Sequence, residues 1–318
     1  MPQGTRELKR RIKSINNTRK ITKAMEMVAA AKMRKAINNV LATRDYANLA
    51  WTTILNLSER TDAAKHPLLQ NREVKRVALV IISSNRGLCG GFNHNIVKKA
   101  LKSIEKHSAD TVITDVITLG SKGRDISLSE KVTVVADFIK QDITLSVSDI
   151  TSLSHLLIND YRQGVYDRIM VAYTDYVSAI RQVPRVKQLL PLKLGDEDQY
   201  LGVVGKSAGI ETTKDFIAEK QARYKKPNNW SYEYLFEPNP GVVLEAMLPR
   251  LIEMQIYQAV LESDASEHSA RMLSMRSASD AAGDMISDLT LVYNQARQAG
   301  ITQEIAEISS GAAALEQK

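Results

Sequence analysis

The stretch HSARMLSMRSASDAAGDMISDLTLVYNQA, residues 268–296, decides the fold of this 318-residue chain. One side of a helix through this stretch is marked by residues spaced alternately four and three apart. They are His268, Met272, Met275, Ser279, Ala282, Ile286, Leu289, Tyr293 and Ala296. The spacing averages 3.5 residues, which is the period of a helix in a left-handed supercoil with a partner. A long helix over about 241–315 is therefore predicted, with a narrow packing seam.

The partner helix is predicted at the other end of the chain, over about residues 4–58. Its apolar and small residues follow largely the same spacing, at Leu8, Ile12, Ile15, Thr22, Ala29, Met33, Ala36 and Val40. We expect Thr5 to cap this helix and His66-Pro67 to follow its end. The C-terminal helix would extend on the order of 100 Å at 1.5 Å per residue, so part of it must project from a globular domain.

Residues 74–192, between the two helices, alternate strand and helix patterns. Predicted strands are Val77–Ile82, Thr114–Leu119, Lys131–Phe138, Arg168–Thr174 and Arg181–Leu192, and predicted helices are Asn95–Glu105, Ser121–Leu128 and Ser148–Arg162. This order predicts a small sheet that is parallel at first and covered by helices. The last two strands are close in sequence, so we expect them to pair antiparallel.

The predicted fold class is α/β, with a long antiparallel left-handed coiled coil of the terminal helices and a central Rossmann-like α/β domain. The predicted divisions are 1–60 for the first helix, 74–192 for the central domain and 193–239 for an insert and connection. The last, 240–318, is the second helix. Pro240 suits the first turn of that helix, and Pro249 predicts a kink or a delayed start.

Charge is concentrated at the N-terminus, where residues 1–45 carry twelve Lys and Arg against three acidic residues. A basic arm of this kind indicates an acidic partner, which is nucleic acid, anionic lipid or an acidic protein surface. No aromatic residue precedes Tyr46, so stacking on bases is unsupported and binding to nucleic acid is disfavoured.

The chain has one cysteine, Cys89, which excludes an internal disulfide and favours a reducing compartment. No run approaches the roughly 18 apolar residues that a membrane-spanning helix needs. We expect the Arg-rich N-terminus to be part of the mature structure, because its apolar positions continue in register downstream. No apolar segment typical of a signal peptide is visible.

The turn Ser83-Ser84-Asn85-Arg86-Gly87-Leu88-Cys89-Gly90-Gly91 joins a buried strand to a helix, as phosphate-binding turns do. It matches neither the dinucleotide nor the P-loop glycine pattern. Two interpretations stay open: a nucleotide site, or a tight turn in which glycine supplies a positive φ. The sequence favours the second.

Catalytic residues are not evident. Cys89 could act as a nucleophile with His94 as its base, but a buried structural cysteine is the simpler interpretation. The histidines His66, His94, His107, His155 and His268 are scattered, so no metal-binding spacing exists. We therefore predict no catalytic residue, no cofactor and no metal ion.

Five stretches then resemble one known family, the gamma subunits of F-type ATP synthases. They are IKSINNTRKITKAMEMVAAAKM (12–33), SNRGLCG (84–90), SEHSARM (266–272), YNQARQAGITQEI (293–305) and ISSGA (308–312). Their order along the chain is also that of the family. The stretch 193–226 is longer than the family usually carries.

The resemblance implies a rotating central stalk with no catalytic site of its own. The coiled coil would enter a hexamer of alternating alpha and beta subunits. The head would stand on the membrane rotor ring, the c-ring, and hold the epsilon subunit. The chain would then be a peripheral membrane protein on the cytoplasmic face of a bacterial inner membrane, and nucleic acid would not be a partner.

Roles for individual residues are also implied by the resemblance. Met25 would lie beside an acidic loop of a beta subunit. Further contacts with the beta catch loops would come from Arg271, Arg297, Gln298, Thr302 and Glu304. The foot against the rotor ring and epsilon would include Tyr234 and Glu237.

Overall fold

The computed structural model describes residues 3–60, 66–107, 112–144, 146–192 and 236–316. The chain divides into two compact units. Residues 1–29 and 272–318 form the first, here called the helix-pair unit. Residues 30–271 form the second, the sheet unit. The predicted insert over 193–239 lies outside the described residues, except for its last four positions.

Two long helices contribute to both units. Helix α1 spans Gln3–Arg60 and helix α5 spans Pro240–Glu316. Asn239 caps α5, because its side-chain oxygen accepts the backbone N–H of Val242 at 3.0 Å. The expected first-turn position of Pro240 is confirmed.

Of the two outcomes predicted from Pro249, the delayed start is wrong, since α5 continues through this residue. The kink stays a prediction. A proline inside a helix removes one backbone hydrogen bond. The buried side chains of Leu248 and Leu251 lie in the core on either side of it and hold this turn of the helix in place.

The helix-pair unit has the burial pattern that the 3.5-residue spacing predicts. On α5, Met275, Ser279 and Ala282 are buried, and none of the positions directly beside them is buried. On α1 the same spacing runs through positions that are buried or half-buried: Thr5, Leu8, Ile12, Ile15, Thr22 and Ala29. Thr5 is buried inside α1, so its predicted role as a cap is wrong. The handedness of the supercoil stays a prediction.

The two helices of this unit lie side by side at Gly283. A β-carbon added to Gly283 would lie 3.5 Å from the guanidinium carbon of Arg19. Arg19 occupies a seam position in the spacing of α1 but is exposed, and its long side chain lies across α5 at this glycine.

Among its described residues, the sheet unit contains one sheet of five strands in the order β3-β2-β1-β4-β5. They span Arg76–Ile82 (β1), Ile113–Leu119 (β2), Val134–Phe138 (β3), Arg168–Tyr176 (β4) and Gln182–Leu190 (β5). The first four are parallel, and β5 pairs antiparallel with β4, from Tyr176 opposite Gln182 to Ile169 opposite Leu190. The predicted central parallel sheet is confirmed.

Three helices join the strands: α2 (Phe92–His107), α3 (Ser121–Ser129) and α4 (Thr151–Arg162). β3 begins three residues later than predicted. The backbone N–H groups of Glu130, Lys131 and Val132 bond to carbonyls of α3 instead. Lys131 has a φ of 59°, which closes the helix and delays the strand.

Alternation along β1 creates a core on each side of the sheet. Leu79 and Ile81 pack with α2, where Ile96 and Val97 are fully buried. Val80 and Ile82 belong to the larger core, which includes residues of α4 and α5. The helices on both faces explain why β1 reads as a continuous apolar run.

Within the described ranges, no helix has a segment long and apolar enough to span a bilayer.

Candidate functional site

The loops that follow the parallel strands meet along one edge of the sheet, here called the carboxyl edge. It comprises residues 83–91 after β1, 120 after β2, 139–144 after β3 and 177–181 after β4. In open α/β sheets, ligands bind at this edge. The glycine-rich turn singled out in the sequence therefore lies where a nucleotide site would be.

Ser83 holds the first part of this turn against α3. Its hydroxyl donates to the carbonyl of Gly120 at 2.9 Å and accepts the N–H of Gly123 at 2.8 Å. A β-carbon on Gly120 would lie 2.7 Å from the Ser83 carbonyl oxygen, and the φ of Gly120 is 110°. These glycines permit contact between two loops and leave the space between them filled by protein.

The second part of the turn is closed around Cys89. The Asn93 amide donates to the Cys89 sulfur at 3.2 Å and to the Ser84 hydroxyl at 2.7 Å. Burial raises the pKa of the Cys89 thiol above its usual range, although Ser84 and Arg271 act to lower it. A thiol of raised pKa is a poor nucleophile at neutral pH. The geometry supports the structural interpretation of Cys89.

Helix α5 covers the carboxyl edge next to β4. The Ser266 hydroxyl donates to the Thr174 carbonyl at 3.1 Å, and the Ser269 hydroxyl donates to the Ala179 carbonyl at 2.6 Å. Both serines are fully buried. The edge at which a Rossmann-like sheet would hold a dinucleotide is thus occupied by the chain's own helix.

Arg271 ties α5 to the glycine-rich turn. One terminal nitrogen donates to Glu267 at 2.9 Å and to His268 at 3.2 Å. The other donates to the carbonyls of Arg86 and Gly87 at 3.4 and 3.3 Å. Arg271, which the resemblance predicts to contact a beta subunit, therefore makes four hydrogen bonds within the chain. The residue is 9% exposed.

His268 bridges α5 and the loop after β3. Its Nε2 donates to the Asp142 carbonyl at 3.0 Å, while Nδ1 accepts from Arg271. This pairing assigns the neutral ring with the proton on Nε2. Burial lowers the pKa of His268, against the opposite effect of Glu267 and Asp264.

The loop after β3 is held by both long helices. Lys140 donates to Asp264 of α5 at 2.7 Å, and the N–H of Thr144 donates to the same carboxylate at 2.9 Å. From α1, Lys32 forms an ion pair with Asp142, and the Asn39 amide donates to the Thr144 carbonyl at 3.3 Å. Sequence reasoning missed this set of contacts.

The other predicted contact residues lie in the helix-pair unit. Met25 is half-buried on α1. On α5, Arg297, Gln298, Thr302 and Glu304 are exposed, and the Thr302 hydroxyl donates to the Gln298 carbonyl at 3.0 Å. The four α5 residues fall within eight positions of one another and form one exposed polar segment.

Of the two predicted foot residues, Tyr234 lies outside the described residues. Glu237 is exposed just before α5 begins. Across the described ranges, no group of three His, Cys, Asp or Glu side chains is arranged to hold a metal ion.

Comparison with known proteins identifies the family. The family model described as ATP synthase matches residues 4–315. The ATP synthase gamma chain of Haemophilus influenzae is 38% identical over 312 residues, which cover 98% of this chain and 99% of that relative.

Two solved structures share the fold. The rotor of the Euglena gracilis mitochondrial ATP synthase has a TM-score of 0.58 at 16% identity and covers 95% of this chain and 100% of its own. The central stalk and c-ring structure of the Tetrahymena thermophila mitochondrial ATP synthase includes a chain with a TM-score of 0.56 at 23% identity. The match covers 81% of this chain and 99% of that one. With the family model and the bacterial relative both matching along nearly the whole sequence, the chain belongs to the ATP synthase gamma chain family.

Proposed function

We propose that this chain is the central-stalk rotor subunit of a proton-translocating F1Fo ATP synthase. It transmits torque between the membrane rotor ring and the hexamer of alpha and beta subunits, where ATP is made or hydrolysed. The observation that carries the proposal is the helix-pair unit, in which small seam residues such as Ser279 and Ala282 are buried. Small residues let two helices approach closely, so a slender shaft can be built.

The chain has no catalytic role of its own in this proposal. Support comes from the carboxyl edge of the sheet, where α5 lies on the position of a nucleotide site. The raised pKa of Cys89 also argues against nucleophilic catalysis. Nucleotide chemistry then belongs to the alpha and beta subunits.

Exposed and half-buried side chains of the helix-pair unit supply the contacts with beta subunits. Met25, Arg297, Gln298, Thr302 and Glu304 are the proposed set. Because each beta subunit meets the same shaft face in turn, coupling requires contacts that differ between rotation angles. Arginine suits such contacts because its fork binds a carboxylate through two directional bonds.

Arg271 joins this set in a different manner. Its terminal nitrogens already donate hydrogen bonds to Glu267, His268 and the turn at 86–87. A contact with a beta subunit would exchange one of these bonds for an external one, which suits an interaction that forms and breaks in each cycle.

The remaining partners are the epsilon subunit and the c-ring, with Tyr234 and Glu237 in the foot that meets them. The chain is then peripheral to the cytoplasmic face of a bacterial inner membrane. The basic N-terminal segment faces acidic protein surfaces in this proposal, and nucleic acid is not a partner.

Reconstitution tests the function directly. Purified alpha and beta subunits are assembled with and without this chain, and ATPase turnover is measured. We expect the chain to co-purify with the hexamer and to raise its turnover, while it hydrolyses no ATP alone. Turnover that is the same in its absence, or failure of the chain to associate, would contradict the proposal.

A further inference from the structure

The part of α5 that lies in the sheet unit carries a row of aliphatic residues spaced four apart. Leu244, Leu248, Ile252, Ile256 and Val260 repeat every four residues, and all five belong to the large core. Such rows are the ridges by which helices pack. A slide of the sheet along α5 by four residues replaces each of these side chains with another of similar size.

Apolar packing discriminates weakly between two such positions because hydrophobic burial has no direction. The next members of the same row are Asp264 and His268, which are both buried and polar. The repeat therefore ends where the helix crosses the carboxyl edge of the sheet.

Asp264 takes part in a fully buried ion cluster. Lys140 donates to Asp264 at 2.7 Å and to Glu267 at 2.5 Å, and the three side chains are 2%, 0% and 4% exposed. Burial acts to lower the pKa of Lys140, but the two carboxylates outweigh it and raise the pKa above its usual range. The lysine is therefore charged inside the protein.

Each carboxylate oxygen in the cluster has a donor. Asp264 accepts Lys140 on one oxygen and the N–H of Thr144 on the other. Glu267 accepts Lys140 on one oxygen and Arg271 on the other. Complete pairing of this kind is specific to one arrangement of helix and loop.

A four-residue slide would bring Val260 and Ser263, or His268 and Arg271, to the positions of Asp264 and Glu267. The Lys140 ammonium would then be buried without a carboxylate. A buried unpaired charge costs far more than the loss of a neutral hydrogen bond, such as those of Ser266 and Ser269. We propose that the Lys140–Asp264–Glu267 cluster sets the register of the β-sheet on α5, selecting one of the positions, four residues apart, that the aliphatic row of α5 allows.

The proposal concerns the chain itself and does not depend on the rotor function. Replacement of buried ion pairs by apolar residues is often neutral for stability, whereas polar groups in apolar seams are known to fix register. The cluster should therefore matter more for where the sheet sits than for whether the chain folds.

Distances between spin labels in the full chain test this. Labels are attached at His94→Cys on α2 and Val242→Cys on α5, which are both exposed, in a Cys89→Ser background. We expect one narrow distance distribution with the cluster intact. The variant Lys140→Met/Asp264→Leu/Glu267→Leu should add a second population, displaced by up to about 6 Å, which is four residues at 1.5 Å each. One unchanged narrow distribution in this folded variant would overturn the proposal.

The matched control removes an exposed ion pair between α4 and the same helix. Arg162 and Glu245 are 2.6 Å apart and 38% and 56% exposed. The variant Arg162→Met/Glu245→Leu should keep the single distribution. A second population in this control as well would show that any lost ion pair loosens the helix, and would overturn the specific role of the cluster.

A variant in which both carboxylates are moved along α5 tests the proposal if the apolar variant does not fold. Val260→Asp and Ser263→Glu, combined with Asp264→Val and Glu267→Ser, move both carboxylates one turn towards the N-terminus of α5. We expect the whole distance distribution to shift, again by up to about 6 Å. An unshifted distance, or loss of folding here too, would show that other contacts set the register.

Discussion

Several polar side chains of this molecule are buried and hydrogen-bonded, and His268 is one of them. His268 is 1% exposed and makes hydrogen bonds through both ring nitrogens. Its seam position in the 3.5-residue spacing was visible in the sequence. Its partners were not, because Asp142 lies 126 residues away and belongs to a loop without a spacing signal.

The titration of His268 predicts a pH dependence of stability. In the unfolded chain a histidine gains a proton near its ordinary pKa of about 6.5. In the folded chain burial lowers the pKa, so the unfolded state binds more protons as the pH falls through this range. The free energy of unfolding should therefore decrease with acidification, by at most ~1.4 kcal/mol for each unit by which the pKa is lowered.

Urea unfolding at about pH 7.5 and about pH 5.5, on either side of the ordinary histidine pKa, measures this. The variant His268→Gln should show a smaller decrease, because glutamine can donate to Asp142 and accept from Arg271 without titrating. The exposed His94→Gln is the control and should behave like the natural chain. The same decrease in all three proteins would show that His268 does not cause the pH dependence of stability.

A substitution at Met25 tests the coupling between proton pumping and ATP hydrolysis. The proposed partner surface on a beta subunit is acidic, so a lysine here would form an ion pair that favours one rotation angle over the others. Met25→Lys in the reconstituted complex should lower proton pumping several-fold more than ATP hydrolysis. Pumping and hydrolysis are measured on the same vesicles, with Met25→Leu as the control. An equal loss of both activities would refute the coupling role.

At the scale of elements, the sequence predicted the long helices and the sheet because their signals are local. The spacing that identified Met275, Ser279 and Ala282 is a property of α5 alone. Element ends were less predictable. β3 starts late because Lys131 closes the preceding helix with a positive φ, and a β-propensity pattern does not report on that turn.

The helix-pair seam makes a prediction about packing. Ala282 is buried in the seam of α5, whereas its neighbour Ala281 is exposed. The variant Ala282→Leu adds volume between two helices in contact and should lower the free energy of unfolding by ~1–3 kcal/mol. Ala281→Leu adds the same atoms to the outer surface and should change it by less than ~0.5 kcal/mol.

Thermal or urea unfolding of the full chain compares the two variants. The midpoint temperature of unfolding, at which half of the molecules are unfolded, should fall only for the seam variant. If both variants unfold like the natural chain, Ala282 is not packed against α1.

At the scale of the whole molecule, contacts between residues far apart in the chain could not be predicted from the sequence. The Lys140–Asp264 ion pair is an example. Lys140 and Asp264 are 124 residues apart and meet only because the sheet places the loop after β3 beside α5. Glu267 stands in the stretch SEHSARM at 266–272, and Lys140 follows a predicted strand, but nothing in the sequence pairs them. Arg271 was predicted only as an external contact, since its bonds to the turn at 86–87 depend on the same assembly.

Coverage of the carboxyl edge makes a prediction about ligands. Ser266 and Ser269 of α5 occupy the edge where a Rossmann-like sheet would hold a nucleotide. Calorimetric titration of the full chain with ATP or NAD should therefore show no saturable binding at micromolar concentration. Saturable binding would revive the nucleotide-site interpretation of residues 83–91.

The loop after β3 is bonded to both long helices, and this arrangement has a mechanical consequence. Lys32 and Asn39 reach this loop from the N-terminal helix, and Asp264 reaches it from the C-terminal helix. Both attachments lie within the sheet unit and fix the loop from two sides, so a displacement of either helix would strain the loop directly. Loss of one attachment would leave the other to keep the loop in place.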